Sequence, residues 1–387
     1  MFAEYSAERG GGGRFIPHVV MISIDPVVRN DPHPTAPLDV MVTIHEEGTP
    51  LTWRRWMAVS AAEQQELLQE TADLHLWSAG MGLTRELAER TATSLGRDLY
   101  RTFLGEEGGE MLRALAPTAV LLQVDETLTN LPWELMQTAD GVLALDTPFG
   151  RVVTTGAVPR AQRDPVAEDP VLRILVVANP TDDLAATAAE CAAISSLEGG
   201  QAGVTIEVAV LEGAKATTKA LTRAVKGKDF DILHFAGHAS FDVADPQTSA
   251  LQMADGPLTA DAVGLLPWRV PPYIVFNSAC ESARTAAGRR LMSERGHCNG
   301  LAAAFMLSGS EAYLGHYWPV GDQAAGSFAA CFYTSLVRRR NVGNAVMDAR
   351  KEAGYRFRTE SDLTAFGAVY FGDPGNAERR DVASMAS

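Results

Sequence analysis

Cysteine is scarce in this chain. Four residues in 387, at positions 191, 280, 298 and 331, are too few and too widely spaced for a disulfide framework. Each reads first as a free thiol suited to a reducing compartment. Basic residues are short as well: 33 Lys and Arg stand against 48 Asp and Glu, a formal net charge of -15. That balance works against attraction to DNA, RNA or anionic lipid, so nucleic acid is not expected as the main partner. Long apolar runs are missing too. The strongest, such as Leu301–Leu307, fall well short of the roughly 20 residues of a membrane span. Residues 1–14 carry charges and four consecutive glycines where a secretory signal has an apolar core, so they read as a flexible leader. No membrane partner and a cytoplasmic location are the expectation. What remains is ample: 46% hydrophobic residues, enough for one large core or two modest ones.

The first hundred residues read as strands followed by helices. Residues 15–24 form an apolar run that stops at Asp25-Pro26, and 38–44 with 51–58 read as a hairpin turning at Glu46-Glu47-Gly48. Ser60 and Glu63 have the capping-box spacing that opens a helix reaching Trp77, and a second helix spans about 84–104. Residues 105–110, acidic and Gly-rich, read as a loop. Strand 120–124 follows. The second half is more regular, with short apolar runs at 172–177, 204–210, 231–235 and 272–276 spaced widely enough for crossover helices. That rhythm predicts a mostly parallel sheet with helices on both faces, an α/β fold preceded by a small amino-terminal strand-rich region. Residues 301–307, 324–339 and 341–353 read as helices, 312–315 and 365–371 as strands. Residues 156–170, broken by Pro159, Pro165 and Pro170, read equally as a candidate domain linker or as a surface loop within one extended α/β domain.

Two chemically active side chains stand just beyond strand candidates. His238 follows the run that begins at Asp231, and Cys280 follows the run 273–276. In parallel α/β sheets, ligands gather outside the carboxyl ends of strands, so neighbouring strands would erase the 42-residue separation. A thiol becomes a nucleophile as its thiolate, and a nearby imidazole both accepts the proton and stabilises the charge. Backbone N–H groups of Ala239 and Cys280 are the economical donors for a developing oxyanion. The same residues also fit a plainer role, Cys as a small buried hydrophobe and His as a satisfied loop residue. His234, inside its apolar run, fits the plain role better than His238, which follows the flexible Gly237.

The words around these residues narrow the choice. His234-Phe235-Ala236-Gly237-His238-Ala239 and Asn277-Ser278-Ala279-Cys280-Glu281 closely resemble the paired catalytic motifs of CHAT-domain proteins. These are a caspase-like branch of the peptidase clan that includes separases, metacaspases and gingipains. Leu131-Pro132-Trp133-Glu134-Leu135 is similar to the family's LPWE segment. Tyr317-Trp318-Pro319-Val320-Gly321-Asp322 is similar to its WPV-x-D element, and Phe371-Gly372-Asp373-Pro374 to its terminal GDP element. The resemblance implies a caspase-like sheet, His238 as catalytic imidazole, Cys280 as nucleophile, no third catalytic carboxylate and no cofactor. It divides the chain into a leader at 1–14, an amino-terminal β/α region at 15–115 and a CHAT-like peptidase domain at 116–387. Ala239 departs from the Gly that many clan members place after the His, and its Cβ restricts a tight turn.

Specificity is less legible. Metacaspases carry an acidic residue two positions before the nucleophile, where this chain has Ser278. Asp231 and Asp322 are candidates for a cation-accepting pocket and Trp318 for its apolar wall, although solvation is the commoner fate of an Asp and packing that of a strand-end Trp. LPWE reads as scaffold. His297-Cys298 lacks the further ligands a zinc site needs, so no metal is expected. The run Arg338-Arg339-Arg340 fits a helix end. The partners implied by the resemblance are a protein or peptide substrate, an activating or recruiting protein, and a gasdermin-like or other effector as the cleaved target, in a prokaryotic signalling or antiviral immune system. Two functional classes follow: a regulated cysteine peptidase, or a catalytically weak caspase-like interaction protein.

Overall fold

The computed structural model describes residues 18–27, 37–46, 49, 52–138, 140–155, 171–201, 204–242, 244–284, 300–339, 341–360 and 362–375. The leader at 1–14, the candidate linker at 156–170, the His297-Cys298 pair and Arg340 lie outside the described residues.

Strands β1 (Val19–Pro26), β2 (Leu38–Glu46) and β3 (Thr52–Val59) pair antiparallel in sequence. Alternation sets their register: Val20, Ile22 and Ile24 of β1 and Val40, Val42 and Ile44 of β2 are all buried, at the period of two that places them on one face. Strand β1 continues through Asp25 and Pro26, beyond the stop expected there. Helix Ala61–Ser78 opens with the expected capping box, Glu63 N–H donating to Ser60 Oγ at 3.2 Å and Ser60 N–H to Glu63 Oε2 at 2.8 Å. Helix Arg85–Phe103 follows.

The expected loop at 105–110 is instead the start of helix Gly105–Leu115. A Cβ on Gly108 would sit 3.4 Å from the Trp53 ring and 3.6 Å from Ile44 Cδ1. Those are ordinary packing distances, so the helix sits against β2 and β3 and forms despite the penalty of about 1 kcal/mol that a mid-helix glycine carries.

Strands β4 (Ala119–Asp125) and β5 (Phe149–Thr154) extend this sheet in parallel beside β1. The remaining elements are β6 (Val171–Ala178), β7 (Gly199–Gln201), β8 (Val204–Glu212), β9 (Ile232–Ala236), β10 (Ala239–Ser240), β11 (Ala250–Met253), β12 (Gly256–Thr259), β13 (Ile274–Asn277), β14 (Ala312–His316) and β15 (Ala368–Phe371). Twelve strands form one sheet in the order β3-β2-β1-β4-β5-β15-β14-β13-β9-β6-β8-β7, and β10-β11-β12 form a small second sheet. Strands β14, β13, β9, β6 and β8 run parallel to their neighbours in that series. Every residue of β9, β13, β14 and β15 is buried. Since successive side chains point to opposite faces, both faces of these strands are covered, which is why they read as unbroken apolar runs.

The two halves of the sheet meet at β15, antiparallel to β14 and joined to β5 through the Phe371–Arg151 pair. Only Ala368–Phe371 is strand there; Thr364–Gly367 forms a short helix. Beneath the seam lies Glu134 of the LPWE segment, fully buried between Arg151 and Arg350. Arg151 Nε donates to Glu134 Oε1 at 2.9 Å, and its Nη2 bonds Glu134 Oε2. Arg350, from helix Val342–Glu360, donates to the carbonyls of Phe149 at 3.0 Å and Ala368 at 2.8 Å. Burial lowers its pKa to about 10, with Glu134 opposing that shift. Trp133 Nε1–H donates to Leu128 O at 2.9 Å and its ring meets Phe103 edge-on. The motif is therefore scaffold.

Candidate active site

Strands β6, β9 and β13 are consecutive and parallel, with Val177 and Asn277 both registered against Phe235. Their carboxyl ends release three loops at one edge: Asn179–Leu184 after β6, Gly237-His238 after β9, and Ser278–Ala283 after β13.

The loop after β13 is pinned from every side. Ser278 N–H donates to Phe235 O at 2.8 Å, Ala279 N–H to Asn277 Oδ1 at 3.2 Å, and Ser282 Oγ–H to Asn277 O at 2.8 Å. Tyr313 O–H donates to Ser282 O at 2.7 Å. Glu281 takes a positive φ of 54°, an uncommon state for a residue with a Cβ and a mark of a constrained turn. Cys280 is half-buried at its crest. Both hydrogen bonds of the sulfur run to Val320: Sγ–H donates to the carbonyl at 3.5 Å, and the Val320 N–H donates to Sγ at 3.4 Å. Burial pushes the thiol pKa up; the Val320 N–H opposes this, while the charges of Asp322 and Glu281 add to it.

The imidazole is engaged elsewhere. His238 Nε2 lies 3.1 Å from both carboxylate oxygens of Asp183, in the loop after β6. The Thr181 hydroxyl holds the Asp183 carboxyl below its ordinary range, with the His238 contact adding to that effect. The sequence reading required no third carboxylate and passed over Asp183; the one signal available was its place just beyond an apolar strand run. The structure brings His238 and Cys280 to adjacent strand ends, and among the described residues they are not hydrogen-bonded to each other.

An amino-terminal helix also reaches this edge. His75 Nε2 lies 3.3 Å from Glu281 Oε1, Arg284 pairs with the same carboxylate, and Ser78 O–H donates to Pro319 O at 2.9 Å. Helix Ala61–Ser78 thus touches both segments that hold the Cys280 sulfur.

Residues 90–363 match the family described as CHAT domain. The chain belongs to the CHAT-domain family. The matched span takes in LPWE, both reactive side chains and the WPV-x-D element. A search of curated protein sequences returned no match. Among solved structures, Saccharomyces cerevisiae separase in complex with securin is similar, with TM-scores of 0.58 and 0.53 at 11% and 13% identity in two structures. Each covers 92% of this chain, which spans 30% of the separase chain. A complex of the pro- and mature domains of Porphyromonas gingivalis RgpB gives a TM-score of 0.49 at 13% identity, covering 82% of this chain and 77% of that one. The CHAT-domain protein has the caspase-like α/β fold.

The remaining candidates fall at different places. Gln252 N–H donates to His238 O at 2.9 Å, and Ala239 is registered against Leu251. Antiparallel alternation therefore turns the Ala239 N–H away from β11. Asp322 begins helix Asp322–Arg339, is exposed, and its charge reaches the sulfur. Asp231 stands at the opposite end of β9 from His238, buried, its carboxylate accepting from the Arg173 N–H at 2.8 Å. It is tied to that end of the sheet rather than to the reactive edge. Trp318 is fully buried, donating to Leu363 O at 3.2 Å, and packs in the core rather than lining an open wall. His234 is core as well, with Nε2 3.0 Å from Glu190 and Nδ1 3.1 Å from the Tyr333 hydroxyl. Among the described residues, no group of three or more His, Cys, Asp or Glu is placed to hold a metal ion, and no helix is long and apolar enough to cross a membrane.

Proposed function

We propose that this CHAT-domain protein is a cysteine endopeptidase that cleaves a protein substrate with Cys280 as nucleophile and His238 as proton carrier. The observation that carries the reading is the half-buried thiol and the imidazole at the carboxyl ends of adjacent parallel strands, the edge where such sheets hold ligands. In the reaction the sulfur proton passes to the imidazole and the sulfur lone pair forms a C–S bond with the scissile carbonyl. The N–H groups of Ala239 and Cys280 receive the oxyanion. Collapse breaks the C–N bond, and the amine leaves with the proton held by His238. Water then adds to the thioester, the C–S bond breaks, and the thiol regains its proton, for a net consumption of one water.

The thiol at rest is protonated, since burial and two nearby carboxylates disfavour its charged form. Its bonds to Val320 must break before it meets a substrate. This supports a regulated enzyme, switched on when a recruiting or activating protein shifts these loops. Asp322, exposed and near the sulfur, is the remaining candidate for contact with a cationic substrate group, and the acidic net charge agrees with a basic protein substrate. A setting in the cytoplasm of a prokaryotic signalling or antiviral immune system, with a gasdermin-like or other effector as target, rests on family analogy.

The same Val320 contacts favour a second reading, a catalytically weak interaction protein in which the parked thiol never reacts. Peptide-library cleavage by wild type, Cys280→Ala and His238→Ala, each assayed alone and with the proteins encoded beside it, separates the two. The peptidase reading expects cleavage by wild type and its loss in both variants, with a peptide electrophile bonded to Cys280. Cleavage that survives Cys280→Ala removes the nucleophile assignment; partner binding that persists in Cys280→Ala without any cleavage supports the second reading.

A further inference from the structure

The loop after β6 is built around one carboxylate. Asn179 takes a positive φ of 45° and Asp182 one of 59°, the left-handed turn conformation that Asn and Asp accommodate through local side-chain hydrogen bonds. The Asn179 N–H donates to Ala236 O at 2.7 Å, tying the loop to the end of β9 two residues before His238. The Asn179 side chain closes the turn, its Oδ1 accepting from Asp183 N–H at 3.1 Å and from Leu184 N–H at 3.0 Å. Gly237 permits the approach: a Cβ there would lie 2.9 Å from Pro180 Cδ and 2.8 Å from the Phe235 ring. Thr181 adds a hydroxyl bond to Asp183 Oδ1. Two left-handed turn residues, a side-chain cap and a glycine contact all end in one result, a carboxylate against His238 Nε2.

Attraction alone does not explain this arrangement. The His238 and Asp183 side chains are 45% and 59% exposed, and ion pairs so open to water contribute little to stability. A loop whose hydrogen bonds converge on one exposed carboxylate, rather than on a buried contact, points to a role for that carboxylate at the imidazole. We propose that Asp183 is a positioning residue for the reactive pair: it accepts the Nε2–H of His238, fixes the ring's orientation and tautomer, and leaves Nδ1 as the nitrogen that exchanges the proton with Cys280. The proposal rests on the cysteine peptidase reading of the same site. A neutral imidazole has one N–H and one lone pair, so holding the proton on Nε2 keeps the lone pair on Nδ1. In the step, the S–H bond of Cys280 breaks, an Nδ1–H bond forms, and the resulting imidazolium keeps its Nε2–H directed at the Asp183 carboxylate. No proton moves to Asp183. Its contribution is orientation and the stabilisation of the imidazolium charge.

The test compares wild type with Asp183→Ala, Asp183→Glu and His238→Ala on the full chain. Two readouts are used: turnover of a reporter peptide, and the rate at which iodoacetamide, a small neutral electrophile needing no binding site, alkylates Cys280 at neutral pH. Asp183→Ala is expected to lower kcat by about 10–100-fold, a fraction of what a general acid–base supplies, with KM within twofold. Alkylation of Cys280 slows in the same variant, and its melting temperature stays at the wild-type value. Asp183→Glu, which restores a carboxylate at altered reach, recovers part of both rates. If kcat and alkylation in Asp183→Ala stay within twofold of wild type while His238→Ala abolishes cleavage, the positioning role is wrong and the peptidase reading stands. If no peptide is cut, either by the chain alone or with the proteins encoded beside it, but alkylation still slows in Asp183→Ala and recovers in Asp183→Glu, the positioning role stands and the peptidase reading fails. Alkylation unchanged in a chain that cuts nothing overturns both.

Discussion

At Cys280, opposing influences act on one sulfur. Burial raises the thiol pKa most, the Val320 N–H lowers it, and the carboxylates of Asp322 and Glu281 raise it. Because alkylation requires the thiolate, labelling of the resting protein climbs only as pH passes above the ordinary thiol value of 9.0. Of the two carboxylates, Glu281 is paired with Arg284 and His75, whereas Asp322 is exposed. Asp322→Asn therefore shifts the labelling curve toward lower pH and speeds alkylation near neutrality roughly twofold to threefold, the size expected of one solvent-screened charge. Iodoacetamide kinetics followed by mass spectrometry measure this, and an unchanged curve would show that the Asp322 field does not reach the sulfur.

Helix Ala61–Ser78 links two environments. Its carboxyl-terminal end holds the loops around Cys280 through His75 and Ser78, and its middle faces helix Arg85–Phe103 with an unfavourable charge. Burial, then Asp98, Glu66 and Asp73, raise the Glu70 pKa from 4.5 to about 7. A carboxyl group raised in the folded state binds its proton more tightly there than in the unfolded chain. Stability is therefore highest below the unfolded value and declines as pH rises through the window from 4.5 to about 7. Glu70→Gln removes that decline. Its melting temperature should exceed wild type by roughly 2 °C at pH 8, a modest shift because the group is partly solvated, and equal wild type near pH 4. Scanning calorimetry at both pH values tests the sign, and a gain at pH 4 rather than at pH 8 would contradict the assignment.

For the whole molecule, the seam between the sheet's halves depends on one carboxylate. Glu134 faces Arg151 and Arg350, all three fully or almost fully buried. Removing it leaves two guanidinium groups without their counter-charge in the interior, at a cost of about 3–5 kcal/mol. Glu134→Ala should lower the urea midpoint accordingly. Since β5 and β15 meet at Arg151, the strands of β1–β4 and the edge carrying Cys280 should unfold in one transition. Far-ultraviolet circular dichroism with alkylation of Cys280 as a second probe checks this; separate midpoints would indicate independent halves.

The sequence by itself determined the parallel run of strands, the capping box at Ser60, and the positions of His238 and Cys280 at strand ends. These are local properties: apolar runs filling a strand buried on both faces, a cap three residues from its partner, motif words read in order. Only the tertiary structure decided what lies beside them. Strand β5 is not among the strands expected from the sequence; it carries Gly150 and Arg151, and Arg151 is accommodated inside where Glu134 and the Thr129 carbonyl receive it. Residues 105–110 read as a loop because glycine disfavours helix, yet they form the first turns of a helix whose Gly108 packs against Trp53 of β3 and Ile44 of β2. Asp231 and Trp318 looked suited to a pocket and are instead fixed at the far strand end and in the core. Asp183, one of several Asp residues in an ordinary-looking turn, acquires its contact with His238 only when β6 and β9 lie side by side, since a hydrogen bond across 55 residues has no local signature.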